Sequence, residues 1–186
     1  MKTYRIKLKS NSPIQFSRYH ETPKLEKESN DDYERRTWIN KAHFNDEGHV
    51  IIPAIFFKNA LMNVAKYLSI QIPGKGKSTY TKHFEAGIMI LDALDTKKTK
   101  DDLQMYTVFG SSQGVRGKGP RVAKKFPTLL EWKGTIEVLV LDQTITKDVL
   151  ATHITSCGKF EGIGTWRPRN GGSYGRFDVE EIKELK

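Results

Sequence analysis

The chain has one cysteine, Cys157, in 186 residues. It cannot close an internal disulfide or supply a thiolate metal cluster, which fits a reducing, cytoplasmic setting. No run of eighteen apolar residues occurs, so a membrane-spanning helix is not expected. The opening MKTYRIKLKSNSPI alternates and is not read as a secretory leader. Local catalytic signatures are missing as well. There is no His-Glu-x-x-His, no Gly-x-Ser-x-Gly elbow, and no glycine loop ending in Gly-Lys-Ser/Thr. Nothing in the pattern asks for a cofactor. Apolar residues make up 37% of the chain. A share that modest leaves much of the chain near solvent, or in loops that pack against a partner.

What the chain has instead is positive charge: 31 Lys/Arg against 22 Asp/Glu, formally +9. Nucleic acid is the commonest polyanion for such a surface. The charge is uneven. Between Lys97 and Lys125 eight Lys/Arg stand against two Asp, so this segment alone carries +6. Its core, QGVRGKGPRVAKKFP, has no apolar rhythm and is expected to be a long exposed loop. Arg116, Lys118, Arg121, Lys124 and Lys125 are its candidate phosphate contacts.

A second candidate is GIGTWRPRNGGSYGRF, residues 162–177. It lacks both the P-loop ending and the strand-to-helix setting of a dinucleotide fingerprint. It does combine backbone freedom at Gly162, Gly164, Gly171 and Gly172 with Arg167, Arg169 and Arg176, whose guanidinium forks suit phosphate. Trp166 and Tyr174 are candidates for base stacking. The alternative is a structural turn with Trp166 against the core.

Period-two alternation in TYRIKLKS (Tyr4, Ile6, Leu8 inward) reads as a strand with a basic outer face. The polar run over 18–36 reads as loop, and TWINKAHF as a strand. PAIFFKNALMNVAKYL carries helical spacing from about Pro53 to Leu68. FEAGIMILDAL reads as a central strand, LQMYTVFGSS as extended, and GTIEVLVLD as a strand. A helix is expected from about Lys147 to Cys157, capped by Thr144 or Thr146 and ended at Gly158. RFDVEEIKEL closes as a strand. The confident elements run strand, helix, strand, strand, helix, strand. That order is the α+β, ferredoxin-like (RRM-like) βαββαβ core with both helices on one sheet face. A single domain over 1–186 is expected, with insertions at about 11–52 and 93–133.

Three stretches resemble the RAMP superfamily, and more narrowly the backbone subunits of CRISPR effector complexes that bind guide RNA. They are IKLKSNSPI, GHVIIPAIFFKNALMNVAKYL and GKFEGIGTWRPRNGGSYGRFDV. The resemblance touches residues 4–14, 49–68 and 134–182. Family members often carry Pro-Gly-Ser-Ser/Thr before the helix and Lys-Gly within it; here Pro53-Ala54-Ile55-Phe56 and Lys58-Asn59 stand there. The resemblance implies RNA contact near Lys58 and by the glycine-rich loop, a finger-like middle insertion, and assembly with itself or with related subunits along single-stranded RNA. Asp101 and Asp102 lie in that insertion without a motif match to the family's cleaving aspartate.

Two other classes stay open. A metal-independent ribonuclease needs only a placed base and acid; His43 and His49, flanking a turn, are its candidates, with no metal ligands implied. A protein-binding subunit of a host or viral complex would use the mixed charge of HETPKLEKESNDDYERR.

Overall fold

The computed structural model describes residues 1–112 and 118–185. Alternation sets the first element, β1 (Lys2–Ser10), with Tyr4, Ile6 and Leu8 buried and the residues between them exposed. A short β2 (Ile14–Gln15) follows. Then comes α1 (Asn30–Thr37), where a loop was expected. Its signal is electrostatic, not apolar. The Ser29 side chain accepts from the Asp32 amide, acids fill the first turn, and Arg35 and Arg36 fill the last. Residues 38–41, read above as strand, form a 3-10 turn that continues α1.

After β3 (Ile51–Ile52) comes α2 (Ala54–Leu68), capped by Pro53 and closed by Ser69 in the left-handed region. Phe57, Ala60, Leu61, Val64 and Ala65 form its buried stripe. Next are α3 (Thr81–Ala86), β4 (Ile88–Ile90) and β5 (Leu94–Asp95). β6 (Leu103–Ser111) and β7 (Arg121–Leu129) pair antiparallel from Leu103↔Leu129 to Ser111↔Arg121. Of the expected basic loop, residues 121–127 are therefore strand, because pairing with β6 overrides their weak local propensity, while 113–117 lie outside the described residues.

β8 (Lys133–Val140) leads to α4 (Lys147–Ser156), whose Thr146 hydroxyl accepts from the Val149 amide. The helical path does not stop at Gly158. It runs on through one wide π turn to Glu161, closed by Gly162 N–H donating to the Cys157 carbonyl at 2.8 Å. Gly158 is there for approach: a Cβ on it would lie 1.9 Å from the Phe177 carbonyl oxygen. β9 (Phe177–Leu185) ends the described chain.

The result is α+β with antiparallel sheets. The main sheet runs β4-β8-β1-β9. β4 is thus a three-residue edge strand, not a central one. A second sheet runs β2-β7-β6, and β3 pairs with β5. One buried cluster joins Ile6, Ile136, Val138 and Phe177 of the main sheet to Phe57 and Leu61 of α2 and Leu150 and Ile154 of α4. It continues into Ile14, Leu103 and Leu129 of the second sheet. Across β1, ion pairs link Arg5 to Glu137, Lys7 to Glu181 and Lys2 to Glu184.

β2 covers only the last two residues of β7. Beyond them Phe16 N–H donates to the Pro127 carbonyl, and side chains take over at Lys125. Glu34 of α1 accepts from the Lys125 amide at 2.7 Å, and Lys41 donates to the Lys125 carbonyl at 2.9 Å. A bare strand edge would otherwise template aggregation.

His153 is buried, stacked on Phe84 at 4.2 Å, with Nδ1 on the Val149 carbonyl. Burial pushes its pKa below the ordinary 6.5, and burial does the same to His43 and His20. Between the folded and unfolded values the unfolded chain binds more protons. This stability is therefore complete above about pH 6.5 and is lost as pH falls toward the folded values. The melting temperature is expected to drop between pH 7.5 and 5.5, with a smaller drop for His153→Leu, read by circular dichroism melts.

Candidate nucleic-acid interface

The loop over 162–176 is a folded object rather than a free strap. Thr165 N–H donates to the Gln15 carbonyl at 2.9 Å and its hydroxyl to Ser17 at 2.6 Å, tying the loop to β2. Gly175 N–H donates to Pro13, and Ile163 N–H to Gly175. Gly175 has φ +76°, and a Cβ there would sit 1.8 Å from the Ile163 carbonyl oxygen. Gly162 and Gly164 pack against Pro168 and Gln15, and Gly172 against the Trp166 backbone; Gly171 caps a 3-10 turn. Much of the glycine content thus serves the loop's own packing.

Its arginines are engaged within the fold, Arg167 and Arg176 half-buried and Arg169 at the surface. Glu161 is buried at the end of α4, accepts from Asn63 of α2 at 3.0 Å, and lies 3.5 Å from both Arg167 and Arg169. Arg176 donates to the Lys159 carbonyl. Trp166 takes the outward place. It holds φ +56°, which is uncommon for a bulky residue, and stays 36% exposed.

Trp166 is also where the two candidate stretches meet. A Cβ added to Gly110 of β6 would lie 4.0 Å from Trp166 Cζ2 and 3.9 Å from Lys124 Cδ. The register sets Val108 opposite Lys124 and Tyr106 opposite Phe126. Tyr106, Val108, Gly110 and Lys124 therefore share a hairpin face with the indole. Tyr106 is 39% exposed. Lys118 and Arg121 are exposed near the hairpin end, with Arg121 donating to the Phe109 carbonyl. Tyr174 is half-buried, its N–H on the Trp166 carbonyl. Arg116 lies outside the described residues. Tyr106 was passed over in the sequence, though its place in an alternating segment beside the basic run was a usable signal.

Two expected contacts have their donors in use. Lys58 gives its ammonium to the carbonyls of Phe84, Glu85 and Ile88 at 2.8–2.9 Å, and burial lowers its pKa. It ties α2 to the end of α3. Lys125 is 4% exposed and paired with Asp31. Asp102 caps a 3-10 turn through Thr99.

His43 and His49 have separate partners. The His43 ring packs edge-on against Phe16 and Phe56. His49 Nδ1 lies 3.1 Å from Asp95 and 3.3 Å from Glu47. These three offer a ligand set of the kind that holds a metal. The ammonium of Lys97 sits 2.8 Å from Asp95 and already supplies a cation. Burial pushes the Asp95 carboxyl up, but hydrogen bonds from Lys97 and His49 outweigh it and hold the pKa at about 2. Elsewhere, His83 Nδ1 lies 2.5 Å from Asp142, beside Lys82 in an open cleft of about 510 Å³.

No known family model matches the chain, and no curated protein matches its sequence. Its fold does have solved relatives. The chain aligns over its whole length with 61% of a chain in the cryo-EM structure of the Type III-B Cmr-beta complex bound to cognate target RNA, with TM-score 0.56 and 10% identity. It also aligns over 95% of its length with 97% of Cmr6 from Pyrococcus furiosus, with TM-score 0.50 and 10% identity. The resemblance to RAMP-type CRISPR subunits is therefore one of fold. The chain spans 61% of the first of these proteins. Among the described residues, no helix is long and apolar enough to cross a membrane.

Gly175→Ala is expected to destabilise by roughly 2 kcal/mol or more, since it combines positive φ with a backbone clash. Glu161→Ala, which strips a buried carboxylate from its partners, is expected to cost on the order of 3 kcal/mol. Urea melts check both. Equal midpoints for Gly175→Ala and the parent would mean the loop is not held as described.

Proposed function

We propose that the protein is a non-catalytic subunit of a CRISPR-like or virus-encoded ribonucleoprotein that holds single-stranded RNA by backbone and stacking contacts. One observation carries the reading: the glycine-rich loop and the basic hairpin, far apart in sequence, converge where Trp166, Lys124 and Tyr106 share a face. Stacking rings beside uncommitted ammonium groups are what a sequence-tolerant strand binder needs. The likeness in fold to Cmr proteins, one of them solved with target RNA, supports the same reading.

In this reading the β4-β8-β1-β9 order, with α2 and α4 on the buried face, is a ferredoxin-like (RRM-like) core of one domain spanning 1–186. Lys118, Arg121, Lys124 and Arg116 meet phosphates. Trp166, Tyr106 and Tyr174 offer ring surface. Arg167, Arg169, Arg176 and the glycines shape the loop. Self-association or docking on related subunits follows from tandem binding along one strand, in the cytoplasm.

A second reading, RNA cleavage without metal, has one observation in its favour. The His83–Asp142 pair at 2.5 Å lines an open cleft with Lys82, whereas His49 shares Asp95 with Lys97 and the His43 ring packs against Phe16 and Phe56.

Binding of a labelled 30-nucleotide RNA, followed by anisotropy in EDTA at several salt concentrations, separates these. Tight, salt-dependent binding with intact RNA is expected. Replacing Lys118, Arg121 and Lys124 by alanine is expected to flatten the log–log salt slope by about 0.7 per charge removed. Trp166→Ala is expected to cost about 1–3 kcal/mol of affinity. Cut RNA that becomes whole with His83→Ala would favour the ribonuclease. Salt-insensitive or absent binding would overturn the RNA reading and leave a protein partner.

A further inference from the structure

A second cleft, of about 290 Å³, lies in the 11–52 segment, with Arg18, His20, Thr22, Ile39, Asn40 and Phe44 around it. Two stretches build it. One is the extended chain after β2, held by Phe16 N–H on the Pro127 carbonyl and Arg18 N–H on the Lys41 carbonyl. The other is the 3-10 turn after α1 and the chain behind it. α1 fixes the first against the second, because the Tyr33 hydroxyl donates to the Thr22 carbonyl at 2.8 Å.

The polar groups around this cleft are unusually uncommitted. Arg18 makes no side-chain hydrogen bond or ion pair among the described residues, whereas the other basic residue close by, Lys41, is bound to Glu34 and to the Lys125 carbonyl. Asn40, itself exposed, spends its amide nitrogen on Thr22 Oγ1 at 3.0 Å, and among the described residues its side-chain oxygen accepts no hydrogen bond. His20 Nδ1 is buried and has no hydrogen-bond partner. Burial and the nearby charge of Lys41 keep this ring neutral at pH 7, so one ring nitrogen is free to accept. Ile39 and Phe44 supply apolar wall.

We infer that this cleft takes one nucleotide of a bound RNA strand, its base between the Ile39 and Phe44 walls with its edge toward Asn40 and His20, and its phosphate on Arg18. Unpaired acceptors in a walled cleft suit the donor-bearing edge of a base. A guanidinium with no counter-ion at the mouth suits phosphate. The inference rests on the RNA reading above but puts sequence-sensing contact in a different place from the hairpin.

The test uses adenosine 5′-monophosphate as a free probe, with ribose 5-phosphate as the probe lacking a base. Amide resonances of residues 18–22 and 39–44 are followed in ¹⁵N-labelled full-length protein. Saturable shifts there with the nucleotide, and at least tenfold weaker response to the sugar phosphate, are expected. Arg18→Gln, which removes a side chain without internal partners, is expected to weaken the nucleotide about tenfold and a 30-nucleotide RNA several-fold. Unmoved amides, or Arg18→Gln binding the nucleotide like the parent, would overturn the cleft assignment. RNA binding that is tight in the parent and unchanged in Arg18→Gln would also overturn it while leaving the hairpin reading intact. Nucleotide shifts in the cleft without any RNA binding would do the reverse, sustaining the pocket as a mononucleotide site and sinking the RNA reading.

Discussion

The buried carboxylate of Glu161 is the constraint around which the candidate interface is arranged. It sits where α4 has run on into a π turn, a place no ordinary helix end would put it. From there it reaches Asn63 on α2 and faces Arg167 and Arg169 on the loop. A charge in that position must be paired, so the arginines are drawn to it and the loop closes over it. The loop then has only a narrow choice of outward side chains. Trp166, held at positive φ between two inward-turning stretches, is the large one. The arginines that look like phosphate ligands in the sequence help hold a tryptophan in place.

The same accounting applies to the hairpin. Its segment carries +6, but charge counted along a chain is not charge available to a ligand. Lys97 pairs with Asp95, Lys98 with Asp102, and Lys125 with Asp31. The Lys97 and Lys98 pairs are exposed and add little stability, yet all three pairs lower the local positive potential. Lys100, Lys118, Arg121 and Lys124 have no such pairing among the described residues. Lys118 and Arg121 lie past the position where Trp166 meets β6, toward the hairpin end, and the Lys124 side chain lies beside it. The field that attracts a polyanion is therefore narrower than the sequence suggests, and it lies beside the exposed rings.

Periodic apolar patterns made β1, α2, β8, α4 and β9 readable, because each buries one face and the spacing records it. α1 was not readable that way. Its one buried residue is Thr37, and its helix signals are a serine cap and an ordered run of charges. Trp38 and Ile39, bulky and β-favouring, gave a false strand where α1 winds on into a 3-10 turn. β7 failed for the opposite reason. Lysines and a proline hide a strand whose existence depends on β6 across the hairpin and on Glu34 and Lys41 along its edge. Of the site, the tryptophan and the basic run were legible as types. Their meeting at Gly110 was not, since it depends on how the loop is tied to β2 and β2 to β7. That three carbonyls engage the Lys58 ammonium was not legible, because nothing local in the sequence reveals them.

The main sheet itself is poorly suited to the platform role that an RRM-like core invites. Sheet platforms of that kind hold RNA by stacking bases on aromatic side chains of the exposed strands. Here the residues of β1 outside the core are Thr3, Arg5, Lys7 and Lys9, and the β8 residues facing them across the register include Thr135, Glu137 and Lys133. There is no ring among them. Arg5 and Lys7 are neutralised by Glu137 and Glu181, and Lys2 by Glu184. A face built largely of matched ion pairs offers a nucleic acid no stacking and little net charge beyond Lys9 and Lys133. In the proposed reading an RNA strand finds both elsewhere, on the Trp166 side of the hairpin, with a further basic contact at the Arg18 cleft. Both lie on elements outside the four-stranded core, so the core acts chiefly to fix their spacing.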